Sequence, residues 1–356
     1  MTQEERASRY QVSAPGKLII CGEYAVLDGA PSLVLALDRR LQLKLEPQTQ
    51  SDSSADAPLG LKLRCPGFSH KSYFITDEGS LGPELALFSS MFWFLLKQHF
   101  AEPLIFIRQA WSLVSDSSAF FDAEAKLGLG SSAALCVALD ELFKALPESR
   151  LGSESLTQRW TRLQKVHSLA QGKVGSGVDL AASLHGAALV FNNGQSVQRD
   201  LSFTACSLPE GLYLDFIWTG QSASTPAMLG SLSKWRAKHT QLCASFIDRL
   251  SDASASVCKQ TDSRAFLDRL RAFCAILNDF DRAADLGIFA AGHAALYQHS
   301  LQFDAALYKP CGAGGGDLGL LLSHSGSQRQ DMLQFIKESG LRCLDLHIDS
   351  RSSGRE

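Results

Sequence analysis

Residues 126–143 read KLGLGSSAALCVALDELF. Two glycines and two serines stand directly before an apolar-rich run with the character of a helix. Gly128 and Gly130 let the backbone turn without a Cβ and approach a neighbour closely. Ser131 and Ser132 are good cap residues for the helix that follows. A helix start leaves N–H groups unpaired and carries the positive end of the peptide dipole, which together favour a phosphate. A serine hydroxyl there can also reach a magnesium ion. A plain capped helix after a tight turn explains the same residues, and on this stretch alone the two readings balance. The loop is not a Walker A loop, since GxxxxGK[ST] is absent, as are a helix-opening GxGxxG and the elbow G-x-S-x-G.

The chain has 356 residues, comfortable for two cores, with 45% hydrophobic and 20% charged residues, an ordinary soluble globular composition. The net charge of -3 gives no reason to expect nucleic acid or an anionic membrane as a partner. Any anionic ligand must be held by local cations and backbone amides. The opening MTQEERASRYQ carries both charge signs and no apolar core, so no targeting peptide is read. LALFSSMFWFLL is too short to span a bilayer and reads as core helix. Nine cysteines are scattered singly, with no CxxC pair, which suits reduced, mostly buried thiols and a cytoplasmic location.

Outward from the glycine–serine loop, YQVSAPGKLIICG opens the chain as a strand. Residues 41–46 and 61–65 alternate apolar and polar, predicting half-buried antiparallel strands, with the Ser/Asp/Pro loop 47–58 between them. A helix is expected near 83–98 and a strand at LIFIR, 104–108. The helix after the glycine loop runs to about 146 and another spans 154–171, with strands at 187–191 and 212–218. Helices near 225–249, 262–284 and 286–300 follow, then strand–glycine–strand over 311–323, a helix over 328–340 and a strand over 341–349. Residues 350–356 are expected to fray. Strands and helices mix without a regular βαβ beat, which predicts an α+β fold in two parts, 1–205 and 206–350.

Three further stretches hold chemistry-bearing residues. In 13–33, a Pro-Gly turn sets Lys17 at the start of an apolar strand and Glu23 follows a glycine; a turn with a solvated lysine and a surface glutamate would look the same. In 170–183, Lys173 lies between glycines, with Ser176, Gly177 and Asp179 after it. A carboxylate behind a flexible loop can take a proton from a hydroxyl, and an Asp cap for LAASLHG is the ordinary alternative. In 309–322, five of the residues are glycine, more than tight loop packing alone explains.

Together SAPGKLIICGEYAVL, GLGSSAA and GAGGGD stand in the order and spacing of the three motifs of the GHMP kinases, and the chain resembles that superfamily over nearly its whole length. Within it, HSLAQGKVGSGVDLAASLHG (167–186) and TGQSASTPAMLGSLSKW (219–235) are similar to stretches of the phosphomevalonate kinases. Mevalonate kinases carry a different loop before the equivalent aspartate, without the lysine. The resemblance implies a two-lobed fold, an N-terminal ribosomal-S5-domain-2-like lobe and a C-terminal ferredoxin-like lobe, with ATP, Mg2+ and a small phosphorylated hydroxy acid in the cleft between them. It implies phosphorylation of phosphomevalonate to diphosphomevalonate, in a monomer or homodimer. Mevalonate kinase, another GHMP small-molecule kinase, the related ATP-using decarboxylase and a catalytically inactive ligand-binding homologue are the alternatives.

Carried over position by position, Lys126, Gly128, Leu129, Gly130, Ser131, Ser132 and Ala133 wrap the ATP phosphates, and Ser132 contacts magnesium. Lys17 and Asp179 flank the reacting hydroxyl, Asp179 as its base or as the orienter of Lys17. Glu23, Lys173, Ser176, Gly177, Ser222, Ser224, Thr225, Gly314 and Gly315 bind the acceptor, Lys173 reading its phosphate. Lys234 and Arg236 are further cations near the motifs, with a solvated helix face an equal reading for both. The adenine pocket is expected between 88 and 118. One departure stands out: mevalonate kinases place a magnesium-binding glutamate eleven residues before the catalytic aspartate, and here that position is Ser168. Water or substrate oxygens can fill the vacancy, as magnesium readily allows.

Overall fold

The computed structural model describes residues 9–48, 59–122, 125–196, 199–351 and 353–355. Strand β1 (Tyr10–Cys21) is buried along almost its whole length. It pairs antiparallel with β2 (Ser32–Pro47), Lys17 opposite Ala36, with a register shift between Pro15 and Gly16. Leu41, Leu43 and Leu45 of β2 point inward while Gln42 and Lys44 are exposed, as the alternation predicts. Strand β3 (Leu61–Arg64) is antiparallel to β4 (Ser72–Ile75) but parallel to β5 (Trp111–Asp116), so the antiparallel expectation holds on one side only. Most of the loop expected at 47–58 lies outside the described residues.

Helix α1 (Ala86–His99) follows as expected. The stretch LIFIR does not form a strand: it is helix α2 (Pro103–Arg108). Pro103 sits in the first turn, where its fixed φ suits a helix. Leu104 and Ile105 are 45% and 56% exposed while Phe106 and Ile107 are buried, a one-sided pattern that alternation does not produce. The strand comes just after, as β5. A short hairpin of β6 (Phe121–Asp122) and β7 (Ala125–Lys126) leads into α3 (Ser131–Lys144).

Helix α4 (Leu156–Gln171) begins at a capping box between Ser155 and Gln158 and ends at Gly172 in the left-handed region. Helix α5 (Val178–His185) and strands β8 (Ala188–Ser196) and β9 (Arg199–Cys206) complete the first layer; β9, which carries no clean alternation, was not foreseen. The first sheet has eight strands, β2 at its centre touching β1, β5 and β8.

Strand β10 (Tyr213–Trp218) starts a second, four-stranded antiparallel sheet. The helix expected over 225–249 breaks at His239, whose φ is -130°, into α6 (Thr225–Lys238) and α7 (Thr240–Val257). After α8 (Ser263–Ala284) the expected helix over 286–300 shortens to α9 (His293–Ser300). Gly287 and Gly292 have positive φ before it, and the Asp281 carboxylate accepts the N–H groups of Ile288 and Phe289. Strands β11 (Ala306–Pro310) and β12 (Leu318–Ser323), helix α10 (Gly326–Glu338) and β13 (Arg342–Leu344) finish this layer.

The last residues return to the first layer rather than fraying. Asp349 accepts from the buried Arg40 at 2.6 Å, and its backbone bonds to Ala36 and Ala187. Residues Gly354–Arg355 form β14, antiparallel to β1. Arg40 drives this docking, because a guanidinium buried in the sheet needs a carboxylate partner.

Candidate active site

The glycine–serine loop is fastened to β1 at one residue. The Lys17 N–H donates to the Leu129 carbonyl at 2.9 Å and its Nζ to the Gly128 carbonyl at 3.1 Å. The Leu129 side chain, 1% exposed, anchors the loop from beneath. Gly130, with φ of 78°, is the cap of α3; Ser131 and Ser132 are its first two residues, not its cap as expected. No side chain closes that end of the helix, so its amides face outward. A Cβ on Gly130 would lie 3.1 Å from Lys17 Cγ and 3.6 Å from Asp179 Cβ. Lysine, aspartate and the open helix end therefore converge on one small space. Asp179 is held there by the first turn of α5, where its Oδ1 accepts the Leu180 N–H at 3.0 Å.

This space belongs to a cleft of about 560 Å³ walled by both layers. Lys17, Glu23, Lys126, Gly128, Gly130, Ser132, Lys173, Ser176, Asp179, Ser222 and Thr225 all line it. The remaining predicted residues have other jobs. Leu129 and Ala133 are buried under the loop, and Ser131 is not in the wall. Gly177 packs against Trp160, whose Nε1 donates to its carbonyl. The Ser224 hydroxyl caps α6 by accepting the Ala227 N–H. Gly314 and Gly315 are glycines because the 287–288 turn and Met228 press on them, a Cβ on Gly314 coming within 2.4 Å of the Ile288 carbonyl. Gly312, Ala313 and Asp317 supply the cleft wall instead. Lys234 is exposed and Arg236 pairs with Asp28, so both follow the helix-face reading. Leu87 is the part of α1 that reaches the wall, just ahead of the stretch expected to hold adenine.

Beneath the cleft lies a pair that spacing did not reveal. Lys309 is fully buried, and its Nζ donates to Glu23 Oε1 and to the Pro310 carbonyl, both at 2.6 Å. Burial pushes the Glu23 carboxyl up from its ordinary value, and the Lys309 ammonium opposes the rise. Glu23 Oε2 has no partner. Lys309 opens the motif KPCGAGGGD, which was read for its glycines alone.

Asp317 joins the layers. Its Oδ1 accepts the Ala223 N–H at 3.1 Å, and a Cβ on Gly128 would come within 2.2 Å of its Oδ2. Gly128 is thus required for contact with the second layer as well as for the turn. The Ser222 hydroxyl adds a bond to the Lys126 carbonyl at 2.8 Å. Tyr24, after β1, donates to the Ala313 carbonyl at 2.5 Å.

Helix α4 contributes two residues that sequence reasoning missed. Ser168 is not in the cleft wall; its carbonyl accepts the Lys173 N–H. His167 and Gln171 face Ser132 instead, with His167 Nε2 and Gln171 Nε2 at 3.2 Å and 3.1 Å from its Oγ. The buried Asp140 of α3 holds α4 in register, bonding His99, Arg159 and Arg162. Burial alone would raise that carboxyl, but the His99 hydrogen bond and the two guanidinium groups hold it well below the usual range.

No family model matches the chain. It is 28% identical over 350 residues to the phosphomevalonate kinase of a Streptomyces species, covering 89% of this chain and 90% of that one. The chain is thus similar in sequence to a phosphomevalonate kinase, one of the GHMP kinases. A mevalonate kinase of Pyrococcus abyssi is also 28% identical, but over 236 residues, 62% of this chain and 60% of the relative. The Streptococcus pneumoniae phosphomevalonate kinase solved with phosphomevalonate and AMPPNP superposes with a TM-score of 0.72 at 18% identity. That match covers 95% of this chain and 99% of the other, so the GHMP kinase fold extends over both layers. Among the described residues there is no group of three or more His, Cys, Asp or Glu that could hold a metal, and no helix is long and apolar enough to cross a membrane.

Proposed function

We propose that this GHMP kinase transfers the terminal phosphoryl group of ATP to phosphomevalonate, forming diphosphomevalonate and ADP. The observation that carries the reading is the convergence of Lys17, Asp179 and the uncapped start of α3 around Gly130. The similarity to a phosphomevalonate kinase along nine-tenths of both chains supports the choice of acceptor. The boundary between the domains is proposed between β9 and β10, and the nine unpaired cysteines support a reducing, cytoplasmic setting.

Phosphoryl transfer needs an in-line acceptor oxygen and compensation of charge on the equatorial oxygens. The α3 amides and Lys126 hold the ATP tail, and Lys17 meets the charge that develops in transfer. Magnesium fits the residues present as a nucleotide-borne ion: Ser132 offers one neutral oxygen, and no carboxylate cage exists to strip the ion of water. When bound, it neutralises the phosphate oxygens. The acceptor oxygen belongs to a phosphate, whose second ionisation lies near 6, so it is largely anionic at neutral pH. Asp179 therefore acts chiefly by placing Lys17 and the acceptor, and proton removal matters only for a hydroxyl acceptor.

Lys173, Ser176, Ser222 and Thr225 line the cleft on the side of α4, α5 and α6, where a second anion fits. Lys173→Met should raise the KM for phosphomevalonate at least about tenfold, the worth of a charge-assisted bond, and leave the KM for ATP within about threefold. Steady-state kinetics with each substrate varied checks this, and an unchanged acceptor KM removes Lys173 from the acceptor site. The reading as a whole is tested by ADP release with mevalonate and phosphomevalonate side by side. Release only with mevalonate would overturn the acceptor, and nucleotide binding without release on any acceptor would favour an inactive homologue.

A further inference from the structure

Ser132 is held by an arrangement that no helix cap requires. His167 and Gln171 lie four residues apart on one face of α4, and both point at its hydroxyl. Gln171 Nε2 is 3.1 Å from Ser132 Oγ and 3.0 Å from His167 Nε2. An amide nitrogen only donates, so Gln171 shares its N–H between two neighbouring targets, and His167 Nε2 accepts in that arrangement. The Ser132 hydroxyl hydrogen turns to the same Nε2 lone pair, 3.2 Å away, as a shared bond. One Ser132 lone pair accepts from Gln171. The other is left for whatever enters the cleft that Ser132 lines.

We propose that His167 and Gln171 are positioning residues that lock the Ser132 hydroxyl so its free lone pair serves a divalent cation carried in on the nucleotide. The inference rests on the ATP and magnesium reading above and adds the means by which this chain manages without a second carboxylate near that ion. A free hydroxyl would have to give up its rotational freedom when the cation draws its oxygen inward. Here the hydrogen has a fixed acceptor, and His167, only 5% exposed, is held by the body of α4. Neither partner is a carboxylate, so the bare ion gains little from them. Their effect appears only when the phosphates bring the ion.

The test is the affinity of the wild type and variants for AMPPNP with Mg2+ and with EDTA, measured by titration calorimetry. In His167→Leu the affinity gained on adding Mg2+ should shrink about tenfold, the worth of one hydrogen bond to a charged centre, while the EDTA value stays within about twofold. His167→Gln, whose Oε1 can stand in for the Nε2 acceptor, should restore most of the gain. Gln171→Met, at a half-buried position, should move in the same direction as His167→Leu and decides the matter if the buried leucine prevents folding. An unchanged Mg2+ gain in both variants, or equal loss with and without the ion, overturns the proposal. Wild-type protein that binds no nucleotide overturns the phosphotransfer reading itself.

Discussion

Asp179→Ala should lower turnover on phosphomevalonate about a hundredfold or more, the penalty for misplacing a reacting group by roughly an ångström. Nucleotide affinity should hold or tighten slightly, because removing a carboxylate from a cleft built for phosphates removes repulsion. The space between Asp179 and Lys17 is narrow, as shown by a Gly130 Cβ position within 3.6 Å of both side chains. Without the carboxylate, Lys17 keeps its bond to the Gly128 carbonyl but loses the group that faces it across the acceptor. The pH profile separates the two roles open to Asp179. Were it a base, the acid limb would carry an ionisation that vanishes in Asp179→Asn. As a positioning group it leaves the acid limb to the acceptor phosphate, near 6, in wild type and variant alike. A loss below about threefold would take Asp179 out of the mechanism.

Lys309→Met should destabilise the protein by about 3–5 kcal/mol, because it leaves the buried Glu23 carboxylate without its cation. That is much of the stability a typical domain has. The loss should depend on pH in one direction. Burial already raises the Glu23 carboxyl in the folded protein, and loss of Lys309 removes the charge that opposed the rise. The folded variant then holds a proton that the unfolded chain, with a carboxyl near about 4.3, releases. Stability therefore falls as pH rises from that value through the folded one, and the defect should shrink on acidification. Denaturant titrations at about pH 5.5 and about pH 8 read this directly. The double variant Glu23→Leu, Lys309→Met should recover most of the loss, since an apolar pair replaces an ionic one. Equal destabilisation at both pH values would mean that packing, not the stranded carboxylate, sets the cost.

The sequence yields the site more readily than the fold's details, for physical reasons visible at particular residues. Lys17, Ser132 and Asp179 lie in short motifs whose glycines fix unusual backbone, and the family resemblance those motifs carry implied their meeting. Gly314 and Gly315 misled because a glycine needed by a ligand and one pressed by a neighbouring carbonyl look identical in one chain. LIFIR misled because β-branched and aromatic residues suggest a strand, whereas Pro103 and one-sided burial make a helix. His167 and Gln171 were hidden by counting back from Asp179 to Ser168; the i, i+4 face of α4 was the available signal. Lys309 could not be found from spacing at all, since its partner Glu23 is 286 residues away.

The return of the last residues to β1 also governs the order in which the molecule can be completed during synthesis. Strands β1 to β9 have all left the ribosome long before Asp349 is made. Until then the Arg40 guanidinium can meet Ser13 but lacks Asp349, the carboxylate that it pairs with in the finished molecule. That ion pair and the β14 edge of the first sheet are thus added only after the second layer has been translated. The last strand to be synthesised therefore pairs with the first.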